Sequence, residues 1–189
     1  VEGMGNLTVE NTDVGFMFAN CTSLKNLDLT GFDTSNVTNF GDMFQNCSQL
    51  ETLNVSTLDT RSALDMSGMF DGCKNFNCDL SKWDVSNVTD MRYMFEDCKK
   101  FNSDLSRWDV SNVESMDYMF SKCKNFKCDL SKWDVSNVTN MRSMFFDNLA
   151  FYLFIGGFVS VVDVSGTVRL FYNPDNINDA LDILFVFIK

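Results

Sequence analysis

Apolar residues along this chain fall at fixed positions that recur every 25 or 26 residues. The clearest marker is Met-Phe, at Met17-Phe18, Met43-Phe44, Met69-Phe70, Met94-Phe95, Met119-Phe120 and Met144-Phe145, in steps of 26, 26, 25, 25 and 25. Four residues after each Met stands a cysteine in the first five units (Cys21, Cys47, Cys73, Cys98, Cys123) and Asn148 in the sixth. A period of this length is the mark of a solenoid or an array. Each unit has two halves. The first alternates apolar and polar residues around Leu27 and Leu29, the period-2 signal of a short strand. The second places Met91, Met94, Phe95 and Cys98 at i, i+3, i+4 and i+7, one face of a helix. Thr89 stands where it can cap that helix, and Lys99 and Lys100 follow at its carboxyl end.

The pattern predicts an α/β solenoid, a leucine-rich-repeat-like right-handed coil of period 25–26. A parallel sheet lines one face and short helices the other. No unit buries its own apolar face; stacking does, with roughly seven inward side chains per unit at about 1.5–3 kcal/mol each. Phe32 and Leu58 are succeeded in the later units by Trp83, Trp108 and Trp133, while Leu27 and Leu53 are succeeded by Cys78, Ser103 and Cys128. A larger residue arrives with a smaller one, as volume compensation within one packed layer requires. Met94, Phe95, Cys98 and the three tryptophans are therefore read as core.

The segments "LDLTGFDTSNVTNFGDMF" (27–44) and "DLSKWDVSNVTDMRYMF" (79–95) resemble the bacterial surface-protein 26-residue repeat, grouped with BspA-type leucine-rich repeats and common in mycoplasmal lipoproteins. The resemblance runs from about residue 14 to 150 and stops there. It implies an extended solenoid on a secreted or surface-attached chain, and it brings no catalytic residues.

Charge narrows the partners. Twenty-six acidic against 15 basic residues give −11, and no basic run is present. Such a chain is repelled by phosphate, so nucleic acid is not expected as a partner. The chain has no histidine, the commonest general base and transition-metal ligand. With no nucleophile–base pair or phosphate loop either, an enzyme is not expected. No stretch has the look of a signal peptide, and none reaches the about 18 apolar residues of a spanning helix.

Several columns could carry chemistry. The cysteine ladder reads first as buried thiols packing as small hydrophobes. Disulfides between neighbours and a metal site are the alternatives. Disulfides need Cα atoms within about 7 Å, and helices on neighbouring coils usually sit farther apart. Asp33, Asp59, Asp84, Asp109 and Asp134 form one acidic column; Asp28, Asp79, Asp104 and Asp129 form another. The expected role is an Asx-type turn in each unit. Calcium bridging through Asp84, Asp109 and Asp134 is the functional alternative, and no other cofactor is expected. Lys82, Arg107 and Lys132 flank the tryptophans and should form an exposed basic stripe, a candidate binding face. Asn-x-Ser/Thr triplets begin at Asn6, Asn20, Asn36, Asn46, Asn54, Asn87 and Asn137, sites for glycosylation on a eukaryotic secretory route and turn residues otherwise.

The chain divides into residues 1–13, a divergent cap or truncated repeat; 14–150, the repeats; and 151–189, a degenerate last repeat with a cap or assembly segment. Residues 159–172 read as a hairpin-like pair of strands turning at Ser165-Gly166, and 175–184 as a short helix. The apolar end, Leu184, Phe185, Val186, Phe187 and Ile188, reads either as a cap or as a strand that adds to a neighbouring copy. Two functions follow. One is a non-enzymatic secreted or cell-surface adhesion module that binds protein or glycan. The other is a structural protein assembling head to tail through its tail.

Overall fold

A computed structural model describes residues 12–55, 58–148, 159–162 and 168–171. Successive units lie side by side and pair in parallel. Strand β1 (Asn26–Leu27) pairs with β2 (Thr52–Leu53), Asn26 opposite Thr52 and Leu27 opposite Leu53. A second ladder runs through all six units as single parallel bridges: Asp13 to Asn39, Asn39 to Asp65, Asp65 to Asp90, Asp90 to Ser115, and Ser115 to Asn140. The expected hairpin-like pair is present as β3 (Val159–Val162) and β4 (Val168–Phe171), antiparallel with Val159 opposite Phe171. Its turn residues, the 175–184 segment, the 184–188 tail, Asn6 and residues 1–11 lie outside the described residues.

The Met-Phe segment differs from its expected form. No described residue is α-helical, and the segment is a run of turns. In the fourth unit Met94 N–H donates to Met91 C=O, Glu96 to Tyr93, and Cys98 to Phe95, each three residues back. The amides between them point the other way along the stack. Met91 donates to Ser115 C=O (3.0 Å), Tyr93 to Asp117 (2.7 Å), Phe95 to Met119 (3.0 Å) and Asp97 to Ser121 (2.9 Å). Half the amides thus close turns and half tie the unit to its successor, so the segment's amides are paired without a helix.

The left-handed residues explain why. Two columns per unit carry positive φ, one through Phe16, Asp42, Gly68, Tyr93, Tyr118 and Ser143, the other through Asn20, Asn46, Gly72, Asp97, Lys122 and Asp147. A positive φ every fourth residue forbids a continuous α-helix and suits the third position of a type II turn. Asn, Asp and Gly, which tolerate this conformation most readily, fill seven of the twelve places.

The apolar face predicted for a helix is still the buried face. Met94, Phe95 and Cys98 are fully buried, as are their counterparts Met43, Phe44, Cys47, Met69, Phe70, Cys73, Met119, Phe120 and Cys123. Phe18, Phe44, Phe70, Phe95, Phe120 and Phe145 stack in sequence at 5.4–5.8 Å, rings within 9° of parallel. Phe76, Phe101 and Phe126 form a second stack, 4.1 Å from the first at each level. Offset aromatic pairs at these separations add about 0.5–1.5 kcal/mol each beyond their burial.

Candidate functional site: a repeated polar face

Each unit turns on aspartates whose carboxylates fold back onto their own backbone. Asp84 Oδ1 accepts from Ser86 N–H (3.1 Å), Asp109 from Ser111 (3.1 Å) and Asp134 from Ser136 (3.0 Å). The Ser86 and Ser111 hydroxyls add bonds of 2.7 Å. Serine donors hold Asp109 and Asp134 below the usual carboxylate range. Each of these bonds is made to Oδ1 of its aspartate, as the expected Asx-type turn requires. The other predicted column turns the same way, with Asp28, Asp79, Asp104 and Asp129 accepting from Thr30, Ser81, Ser106 and Ser131. Among the described residues no three of histidine, cysteine, aspartate and glutamate gather to hold a metal ion.

A third column of such turns escaped the sequence reading. Asp13, Asn39, Asp65, Asp90 and Asn140 each accept an N–H two residues on. Asp90 lies between Thr89, the expected helix cap, and Met91. Its spacing from Asp65 and Asn39, matched by residues that favour Asx-turns, was the signal.

The cysteines are free and serve the stack. Cys47, Cys73, Cys98 and Cys123 thiols donate to the carbonyls of Phe18, Phe44, Phe70 and Phe95 in the preceding unit, at 2.8–3.1 Å. Burial pushes the Cys47 thiol up to about 11, and Cys73, Cys98 and Cys123 further up. Reactivity needs the thiolate, so these four are inert while the protein is folded. The separation argument against disulfides does not apply in its original form, because the column lies on directly bonded turns rather than on helices. Cys21, in the first unit, is exposed.

The tryptophans lie in the core. Trp83, Trp108 and Trp133 indole N–H groups donate to the Val55, Leu80 and Leu105 carbonyls at 3.0–3.1 Å. All three rings are buried, as their spacing predicts. The residues beside them do face solvent: Lys82, Arg107 and Lys132 are all exposed. Lys132 borders a shallow groove with Asn102, Asp104, Lys127, Cys128 and Asp129.

A second groove is lined by Asn87, Thr89, Asn112, Glu114, Asn137 and Thr139. Asn87, Asn112 and Asn137 each donate a side-chain N–H to the preceding unit, on Arg61, Ser86 and Ser111 carbonyls at 2.7–2.8 Å. Asn112 belongs to no Asn-x-Ser/Thr triplet yet makes the same bond, so the stack uses this asparagine independently of the triplet. Asn20, Asn36, Asn46, Asn54, Asn87 and Asn137 are all exposed.

Two further outward features were missed. Tyr93 and Tyr118 stack on the surface at 5.1 Å. Asp71 is pushed up to about 6, first by burial and then by Glu96 and Asp42. Lys122 Nζ bonds Glu96 at 2.9 Å beside it. Among the described residues no helix is long and apolar enough to cross a membrane.

The chain matches the family model described as "Mycoplasma protein of unknown function, DUF285" twice, over residues 12–127 and 79–183. No curated protein matches it. No solved structure matches it.

Proposed function

The chain belongs to DUF285, the family of Mycoplasma proteins of unknown function, and on that premise we propose that it is a non-enzymatic secreted or cell-surface module that binds a protein or glycan. We infer that its parallel ladder is the leucine-rich-repeat-like solenoid its periodicity predicts, related to the BspA-type surface repeats it resembles. The observation that carries the reading is the repetition of outward side chains. Lys82, Arg107 and Lys132 are exposed in successive units, and the Phe stack of the core steps by 5.5–5.8 Å from unit to unit. Asn87, Asn112 and Asn137 line a second groove that repeats from unit to unit. A ligand that is itself a polymer meets the same contact several times, and weak contacts add through multivalency.

Lys82, Arg107 and Lys132 form a local basic stripe on a body whose net charge of −11 repels polyanions, so a sulfated glycan is a stringent probe of that stripe. The test compares the chain with a Lys82→Glu, Arg107→Glu, Lys132→Glu variant against heparin oligosaccharides of increasing length. Affinity should climb with oligosaccharide length for the parent chain and fall more than tenfold in the variant. Length-independent affinity, or affinity unchanged in the triple variant, contradicts the reading.

A further inference from the structure

The groove lined by Asn87, Thr89, Asn112, Glu114, Asn137 and Thr139 crosses the fourth, fifth and sixth units, and all six residues are exposed. Its polar groups are anchored from behind. Asn87, Asn112 and Asn137 each donate one side-chain N–H to the carbonyl of Arg61, Ser86 or Ser111. An amide held in this way keeps its plane, and it still carries an oxygen acceptor and a second N–H. The Thr89 and Thr139 hydroxyls donate to the Leu64 carbonyl (3.2 Å) and the Glu114 carbonyl (3.0 Å). A hydroxyl has one proton, so towards the groove each of these oxygens acts as an acceptor.

The stack does not require these residues. In the third unit Ser62 takes the asparagine's place, and its hydroxyl makes the equivalent bond to the Ser35 carbonyl at 2.6 Å. Leu64 takes the threonine's place, 48% exposed and with no hydroxyl to donate. A unit therefore stacks without the amide and without the threonine, yet the amide row runs unbroken from Asn87 to Asn137. Glu114 stands between the two threonines. Among the described residues no lysine or arginine lines this groove, whereas Lys127 and Lys132 line the other.

We propose that this groove binds an uncharged linear glycan laid along the stack. The assignment rests on the reading of the repeated face as a binding face, and it uses none of the basic stripe. A groove with one carboxylate and no cation, on a body of net charge −11, repels a polyanion. A sugar hydroxyl both donates and accepts, which matches an anchored amide beside a threonine oxygen. Spacing decides against a peptide. From the fourth unit to the sixth the core rings step by 5.6–5.7 Å. Like-facing residues of an extended peptide recur at about 6.6 Å, so its contacts drift by about 1 Å more with each unit. β-Linked hexoses in an extended chain advance by close to one step of the stack per sugar. Each sugar then meets an equivalent amide, and the contacts add along the chain.

The test titrates the full chain with cello-oligosaccharides, from disaccharide to hexasaccharide, followed by calorimetry and by NMR of the asparagine side-chain amides. Affinity should climb with length until the three units are spanned and then level off. The Asn87, Asn112 and Asn137 side-chain signals should shift together. A Thr89→Leu, Thr139→Leu variant copies the residue that the third unit carries at Leu64, so it should fold as the parent does while losing about tenfold or more in affinity. A parent that binds heparin but no cello-oligosaccharide overturns this proposal and leaves the basic-stripe reading standing; binding of cello-oligosaccharides without heparin does the reverse. The proposal also fails if the Thr89, Thr139 variant binds like the parent. It fails too if a lysine oligopeptide shifts the three amides and the sugars do not, since the occupant is then a basic peptide.

Discussion

Replacing Gly72 by alanine separates a turn from a helix by sign. In a helix interior that change stabilises by about 0.8–1 kcal/mol. Here Gly72 has φ +72°, and an added Cβ would lie 2.6 Å from Asn46 Oδ1 and 3.4 Å from Asn46 Cα. The left-handed conformation alone costs an L-residue about 1–2 kcal/mol, and the approach to the Asn46 backbone adds to it. Gly72→Ala should therefore destabilise by about 1–3 kcal/mol. Asp97 occupies the same column in the next unit with φ 54°. Asp97→Gly and Asp97→Ala both lose the ion pairs to Lys74 and Lys99, so their difference isolates the backbone. The glycine variant should be the more stable by about 1–2 kcal/mol. Urea unfolding reads both comparisons. With a slope of about 1–3 kcal/mol per molar, the midpoints should differ by several tenths of a molar or more. A stabilised Gly72→Ala, or an Asp97→Ala more stable than Asp97→Gly, refutes the turn assignment.

Phe95→Ala, which empties a fully buried place between Phe70 and Phe120, should cost about 3–5 kcal/mol in the same assay. Phe16→Ala, in a largely exposed place, should stay within about 0.5 kcal/mol of the parent. Asp71 holds its proton more tightly folded (about 6) than unfolded (3.8). Its charged form therefore burdens the fold above pH 6, and that burden is relieved as pH falls towards 4. Asp71→Asn should stabilise the chain at pH 7–8 by at most about 1–2 kcal/mol after solvent screening, with the gain gone below about pH 4; a pH-independent gain contradicts the burial argument. A thiol reagent should label Cys21 quickly in the folded chain and reach Cys47, Cys73, Cys98 and Cys123 only on unfolding, as mass spectrometry of digested peptides would show.

Much of the packing was legible in the sequence because burial repeats with the period. The columns of Met94, Phe95, Cys98 and Trp108 are core for the reason their spacing gives, and the columns of Asp79 and Asp84 are Asx-turns. The backbone of the Met-Phe segment was not legible by the same means. Positions i, i+3, i+4 and i+7 face one way in a helix, and they also face one way in a run of turns that bends at every fourth residue. The distinguishing signal lay in Asn20, Asn46, Gly72 and Asp97, which suit positive φ. Tyr93, Tyr118 and Lys122, which do not favour it, obscured the pattern. The thiol and indole partners were hidden for another reason. They are carbonyls one unit back, and only the register of the stack shows which ones. On the outward face, the exposure of Lys82, Arg107 and Lys132 could be read from alternation. The Tyr93–Tyr118 stack could not, because it follows from two left-handed residues meeting across a junction.

The most direct test of the ladder is to measure NMR couplings across its hydrogen bonds. The account predicts couplings from the amide nitrogens of Tyr93, Phe95 and Asp97 to the carbonyl carbons of Asp117, Met119 and Ser121, one unit ahead. Coupling from Phe95 to the Met91 carbonyl carbon, four residues back within the same unit, would mean a helix and would contradict it.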